Sequence, residues 1–404
     1  MDPYAEVAYG GMDVHYKFSR VTFRDRKLRV VRRERLEHKD RQELLRILSR
    51  WPRDVPIALE ASFGWGWISD VMLQCGLSPR LSNCYKVEQM RKARGWAKNN
   101  RMDGDLTSLL PAEPDEWWRV WLAPPEVRDR REWVRYRMDL VQSQTRLKNQ
   151  IHAVLHRHGI VQEFSDLFGT GGRKFLADLC CDGGGVLDGG ALGALRGLLG
   201  LLQQVRARLA GIDRKLRKDL KTDGLVSTLK TIPGFGLILS HVLVAEIGDM
   251  TRFGSTKNLA SYSLLAPRAH DSGEEDAEET PLGRHIGQRG NRTLKWAFLE
   301  AAHGAVRKGG TWRKVFDGYT GGGKKNRNRG YIKVARALAG VVRRVWLTGE
   351  PYQEQALSRP GSQKRRHRGR RGRGGTRSGT GWPYHPMVDV ESPLSSGPKP
   401  TGSR

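Results

Sequence analysis

Two carboxylates stand in sequence contexts that carboxylates usually avoid. Asp13 lies inside the alternating apolar run GGMDVHY, and Glu60 lies inside PIALEAS. A charge in the middle of a half-buried strand costs free energy unless it is paired or holds a metal ion. Asp103 lies in KNNRMDGDLTSLL, at an expected helix start. Oxygen ligands of this kind hold Mg2+ or Mn2+, and such an ion stabilises the attacking and leaving oxygens of a phosphoryl transfer. Taken singly, each acid has an ordinary explanation: an edge or turn position for a strand Asp, a helix cap for Asp103. Two strand carboxylates in one α/β region point together to a metal site.

The elements that must position these acids are legible as patterns. Residues 5–32 alternate as short strands with a turn at Asp25-Arg26. Residues 38–50 read as a helix ending before Trp51-Pro52, and 56–62 as a buried strand. A glycine-broken aromatic segment, a helix through Val71-Met72-Leu73 and a short strand near 77–81 follow. This is an α/β layer pattern, assigned to a domain over 1–120.

From about residue 125 the period changes to that of helices. Trp133, Tyr136, Leu140, Leu147, Ile151 and Val154 fall at three- and four-residue steps, as do Leu195, Leu198, Leu202, Val205, Leu209, Ile212 and Leu216. That is a heptad seam. Two such helices joined by the glycine-rich stretch 169–200 make a coiled-coil-like hairpin over 125–222. Its seam fits either a second subunit or an internal antiparallel partner. Residues 223–350 read as a mostly helical C-terminal domain. Around Ile232-Pro233-Gly234-Phe235-Gly236 the proline stops one helix and the glycines allow a tight turn into the next. The turn resembles a helix–hairpin–helix element, in which the amides of Gly234 and Gly236 would meet a nucleic-acid phosphate. A purely structural turn is the alternative.

The 404 residues carry 71 Lys+Arg against 43 Asp+Glu, a net charge of +28. A field of that sign attracts polyanions, and DNA or RNA is the implied partner. Residues 351–404 hold 11 Lys/Arg and 3 Asp/Glu, so most of the excess lies upstream of that tail. Within the tail, KRRHRGRRGRGG has nothing apolar to bury, and disorder with non-specific phosphate binding is expected. The four cysteines, Cys75, Cys84, Cys180 and Cys181, form no CxxC pair and read as reduced thiols of a cytoplasmic protein. The N-terminus lacks the pattern of a signal peptide, and no apolar run of about 18 residues is present to span a membrane.

The ordered set GMDVH, ALEAS and KNNRMDGDL resembles the motifs of the DEDD-type insertion-sequence transposases, the bridge-RNA-guided group related to Piv-type DNA invertases. TIPGFG, LASYSLLAP, DSGE and GRHIGQRGNRTLKWAFLEAAHGA agree with it, so the resemblance spans roughly residues 5–347. It implies a RuvC-like ribonuclease-H fold at the N-terminus, a helical middle and a C-terminal domain that supplies a serine nucleophile. It further implies donor and target DNA, a structured guide RNA, a homo-oligomer (dimer or tetramer) and a divalent cofactor, Mg2+ or Mn2+.

Carried over by position, Asp13 is the first acid, Glu60 the second and Asp103 the last member of an Asp-x-x-Asp pair. The first member falls on Asn100, which offers a metal a carbonyl oxygen but no charge. Positions 100 and 103 share a helix face, whereas Asp105 is rotated about 200° from Asp103 and could supply the missing acid only with a register shift. Ser272, in an ordinary-looking Ser-Gly pair, matches the family's nucleophile. A serine attacking a phosphodiester forms a covalent protein–DNA link that conserves bond energy for rejoining. His270 and His285 are candidate bases. Arg268, Arg284, Arg289, Asn291 and Arg292 lie nearby as candidate phosphate clamps, with a solvated basic loop as the alternative. Two competing expectations stand: a RuvC-like nuclease without a serine step, and an inactive nucleic-acid-binding relic suggested by Asn100.

Overall fold

The computed structural model describes residues 3–96, 100–182, 186–266, 290–324 and 326–354, without the side chains of 100–103 and 182. Two compact units divide the chain between Leu122 and Ala123.

The first unit is built on a five-stranded sheet: β1 Tyr9–Val14, β2 Phe18–Arg24, β3 Val30–Glu37, β4 Pro56–Glu60 and β5 Ser78–Ser82. Its order is β3-β2-β1-β4-β5. The first three strands pair antiparallel as a meander, and β4 and β5 run parallel to β1. The β2–β3 turn is held by Asp25, whose Oδ1 accepts the Lys27 and Arg29 amides at 2.9 Å each. Helix α1 (Arg41–Leu48) is N-capped by Asp40, which accepts from the Gln42 and Glu43 amides. It and α2 (Trp65–Gln74) cover one sheet face. There Met12, Val14, Val21, Phe23, Ile57 and Leu59 pack on Leu44, Leu48, Ile68, Val71 and Met72. Strand alternation sends the intervening residues to the other face. A second core forms there from Ala58 with Val87 and Met90 of α3 (Cys84–Ala93), Leu106 of α4 (Asn100–Thr107), Leu109, Leu110 and Trp118.

The second unit is helical. Helices α5 (Pro125–Arg157) and α7 (Gly189–Leu220) run antiparallel. Lys215 lies 5.2 Å from the Trp133 ring centroid, Arg137 pairs with Asp213 at 2.7 Å, and Ile151 shares a core with Leu202 further along. The heptad seam is therefore satisfied inside the chain: Leu140 buries against Leu209, Ile212 and Leu216. Of the two partners the sequence left open, the antiparallel helix of the same chain is the one seen against the seam. The glycine-rich stretch is corrected. It holds helix α6 (Thr170–Asp182), and α7 starts at Gly189, inside the expected joint. Gly193, Gly197 and Gly200 of α7 have open space where a side chain would be, while Leu192, Leu195, Leu198, Leu199 and Leu202 pack inward and carry the helix.

Among the described residues six further helices belong to the unit: α8 Gly224–Leu229, α9 Leu237–Ile247, α10 Thr256–Tyr262, α11 Arg292–Lys308, α12 Gly310–Thr320 and α13 Arg327–Thr348. They share one large core that includes Leu243, Ile247, Phe298, Ala301, Leu338 and Val342. The division drawn from the sequence at 222/223 is not a packing boundary, because Val134 of α5 buries with Val242 and Ala245 of α9 and Ala297 of α11. Among the described residues no helix is long and apolar enough to cross a membrane. The basic tail, apart from its first residues, lies outside the described residues.

Candidate active site

Strands β1 and β4 place two acids side by side. Their parallel register pairs Gly10 with Ile57, Gly11 with Ala58 and Met12 with Leu59. One step further on, the chain reaches Asp13 and Glu60. Both leave the sheet on the Gly11–Ala58 face, from strands about 4.8 Å apart. Both side chains are half-buried. His15 Nε2 stands 3.0 Å from Asp13 Oδ2. On the Glu60 side, the Cys84 thiol at the start of α3 donates to the Ala61 carbonyl at 3.1 Å. Burial, together with the charge of and hydrogen bond to Glu60, pushes that thiol up to about 11, so it stays protonated at neutral pH.

Helix α4 is laid across the same face, and Gly11 permits it. A Cβ at Gly11 would stand 2.0 Å from the Ser108 amide nitrogen, so only glycine lets the end of α4 approach β1 this closely. Three side chains from β2 and β3 lock the helix in place. Thr22 Oγ1 donates to Asp105 Oδ1 at 2.8 Å, Arg33 grips both Asp105 oxygens at 3.0 and 2.9 Å, and buried Arg24 donates to Ser108 Oγ at 2.7 Å. Burial alone would raise the Asp105 carboxyl, but these hydrogen bonds and the arginine charges outweigh it and hold it below the usual carboxylate range. Asp105 is thus the anchor of α4, with both oxygens engaged. Upstream, a Cβ on Gly104 would lie 3.6 Å from the Arg20 carbonyl, and Arg20 is the β2 partner of Asp13. The α4 backbone at Gly104 therefore passes over β2 at the residue paired with Asp13.

This donor set suits a hard divalent cation: two carboxylates on one face, with the helix bearing positions 100 and 103 laid over it. The side chains of Asn100 and Asp103 lie outside the described residues. Among the described residues no three acidic, histidine or cysteine side chains converge.

In the helical unit, Asn291 has a structural occupation. It N-caps α11 by accepting the Leu294 amide at 2.9 Å, and its Nδ2 donates to Glu246 Oε2 at 2.7 Å. Glu246 is completely buried, and Arg135 holds both of its oxygens at 2.8 and 2.9 Å. The amide assigned from sequence to phosphate is thus committed to the protein, while Arg292 beside it is exposed. Gly234, at φ +89°, is required by packing: a Cβ there would meet the Ala301 carbonyl oxygen at 2.0 Å. Gly236 is exposed at the N-cap of α9, beside a groove of about 670 Å3 that Arg217, Lys221 and Lys230 line with Asp213. Ser272, Arg268, Arg284, Arg289, His270 and His285 lie outside the described residues.

The roles of Gly11, Thr22, Arg24, Arg33 and Asp105 were missed in the sequence. The one available signal was Asp105 itself, off the face of positions 100 and 103. A family model for transposases of the DEDD IS110 type matches residues 10–160, and a second, described as Transposase IS116/IS110/IS902 family, matches 226–317. The chain belongs to the IS110 family of transposases. The matched ranges hold Asp13, Glu60 and α4 in one case and the Gly234 turn and Asn291 in the other. Relatives of this IS110-family chain include a transposase for insertion sequence element IS1111A from Coxiella burnetii, 24% identical over 56% of this chain and 61% of the relative. An uncharacterised 44.8 kDa protein of insertion element IS116 from Streptomyces clavuligerus is 29% identical over 38% of this chain and 35% of its own length. A pilin gene-inverting protein from Moraxella bovis is 52% identical over 14% of this chain and 18% of its own. The chain spans between about a third and three fifths of the length of the first relatives it matches.

Proposed function

We propose that this IS110-family chain is a DNA transposase that cleaves and rejoins strands with an acidic metal site and a serine nucleophile. The observation that carries the proposal is the placement of Asp13 and Glu60 on adjacent parallel strands, on the face that α4 crosses. The strand order β3-β2-β1-β4-β5, with a leading antiparallel meander, supports a RuvC-like ribonuclease-H reading of the first unit. In that reading Asp13, Glu60 and Asp103 would hold Mg2+ or Mn2+, with Asn100 offering a neutral oxygen. The ion supplies charge stabilisation at the scissile phosphate.

The chain's own residues divide the remaining work. Asp105, Thr22, Arg24 and Arg33 fix α4 over the acids. The Ser272 hydroxyl attacks phosphorus. A Ser–O–P bond forms, its proton passes to a base such as His270 or His285, and the departing strand oxygen takes up a proton. The reverse attack by a strand hydroxyl rejoins the DNA and frees the serine. Arg268, Arg284, Arg289 and Arg292 would offset charge on the phosphate. The gene-inverting name of the Moraxella relative supports site-specific rejoining rather than simple hydrolysis. Donor and target DNA, a structured guide RNA and assembly as a homo-oligomer belong to the same proposal.

The test is cleavage of element-end DNA in Mg2+ by wild type, Asp13→Asn, Glu60→Gln and Ser272→Ala. We expect all three variants to lose cleavage while retaining DNA binding, and wild type alone to give an adduct that survives denaturant. Cleavage by Ser272→Ala with no adduct from wild type would make water the nucleophile and the chain a nuclease. Metal-dependent cleavage of any kind excludes the inactive relic.

A further inference from the structure

The two most exposed aromatic side chains among the described residues stand immediately beyond the two acids. Tyr16 is 93% exposed and Phe63 98% exposed. Each follows its acid by three positions, Tyr16 after Asp13 and Phe63 after Glu60. Both therefore lie just past the carboxyl ends of neighbouring parallel strands. Several contacts make this end of the sheet one continuous rim. Gly64, directly after Phe63, takes φ +87°, and its Cβ position lies 3.4 Å from Val14 Cγ1 and 3.1 Å from Trp67 Nε1. The Trp67 ring meets His38 edge to face at 4.8 Å, and His38 Nδ1 stands 3.3 Å from the Tyr16 carbonyl oxygen. Trp67 is itself partly exposed, and Lys17 beside Tyr16 is exposed.

No packing in the first unit accounts for these rings. The unit buries Phe23, Trp51 and Trp118 almost completely, and even its next most exposed aromatics, Tyr85 and Trp67, are only 38% and 37% exposed. An aromatic ring held fully in water beside a phosphate-directed acidic pair suits one ligand chemistry: the π-face of an unpaired base. Duplex bases keep their faces stacked within the helix, so such rings engage only a strand whose bases are out of the stack.

We propose that Tyr16 and Phe63 form a stacking platform for unpaired DNA bases flanking the phosphate at Asp13 and Glu60. The platform selects a locally melted strand over intact duplex. The proposal rests on the active-site reading above, but its test reads binding, not cleavage.

The experiment uses the full chain in EDTA, so that no strand is cut. The probes are a single-stranded DNA oligonucleotide carrying 2-aminopurine, the same sequence as duplex, and the same sequence as RNA. Wild type is expected to quench 2-aminopurine in the single strand. Tyr16→Ala and Phe63→Ala should each weaken single-strand DNA binding about tenfold and relieve the quench, while duplex binding stays unchanged. Phe63→Trp should restore both signals and Phe63→Leu should not, which separates a ring from mere apolar bulk. The exposure of both residues predicts unchanged melting temperatures for all four variants.

Unchanged single-strand affinity in both alanine variants would overturn the proposal, as would equal losses on single strand and duplex. A loss confined to the RNA probe would overturn the DNA assignment. A variant with a lowered melting temperature would overturn the claim that the ring is free of packing. If the alanine variants lose stacking while Asp13→Asn still cleaves DNA, the platform stands and the acidic-site reading fails.

Discussion

Glu246 is held ionised in a dry helical interior by the Arg135 fork and the Asn291 amide. Burial raises its carboxyl, but the Arg135 and Asn291 contacts and the nearby Arg131 charge outweigh that and leave it below the ordinary range. A carboxyl depressed in the folded state contributes stability above its unfolded value of about 4.3 and loses it as pH falls through the folded value. The urea midpoint should therefore drop as pH is lowered below about 4.3, and Glu246→Gln should show a shallower acid limb. Identical acid limbs would place the titrating group elsewhere. At neutral pH, Glu246→Ala should cost about 3 kcal/mol, the low end for a broken buried pair, since Arg135 is half exposed to water. At the proposed metal site, Asn100→Asp should tighten Mg2+ binding in calorimetry by adding a charge. Weaker binding would show that position 100 does not face the ion. Asp13 and Glu60 were legible in the sequence because a charge in an apolar strand is itself a signal. The Arg33–Asp105 pair was not, because its partners lie 72 residues apart and nothing local marks either one.

Helix α4 is eight residues long and owes its position to neighbours rather than to its own apolar face. Gly11→Ala should therefore displace it, with a loss of about 3 kcal/mol in chemical denaturation, since the added carbon meets backbone. Strand cleavage should fall with it. A stability change under about 0.5 kcal/mol would mean that α4 does not rest on β1. The seam of α7 predicts a different outcome. Leu209→Asp should lower stability by about 3 kcal/mol without altering sedimentation, because its partner is α5 of the same chain. Weakened association at unchanged stability would return the seam to a subunit interface. The leading strands and the long stripes of α5 and α7 could be read from period, but α6, inside the glycine-rich stretch, could not. The partner of an apolar stripe could not, because a heptad looks the same from either side. Nor could the start of α7 be read, since the glycines that suggested a linker occupy its outward face.

Across the whole molecule the basic excess is spread rather than confined to the tail. Deletion of residues 357–404 should leave nucleic-acid binding steeply salt-dependent, each neutralised phosphate contributing roughly 0.7–0.9 to the slope of log K against log salt. A flat slope in the truncated chain would assign binding to the tail alone. The docking of α4 also sets an order of events on the ribosome. Thr22 is made 83 residues before its partner Asp105, which at about 5–20 residues per second is an interval of roughly 4–17 s. For that interval the growing chain can complete the meander and bring Asp13 beside Glu60. Gly11 nevertheless remains uncovered, Arg24 waits for Ser108, and Arg33 waits for the Asp105 carboxylate. The helix that covers Gly11 is also the one that carries positions 100 and 103. The nascent protein therefore covers Gly11 and completes its proposed ligand set in a single step, and Leu109, Leu110 and Trp118 then finish the core on that face.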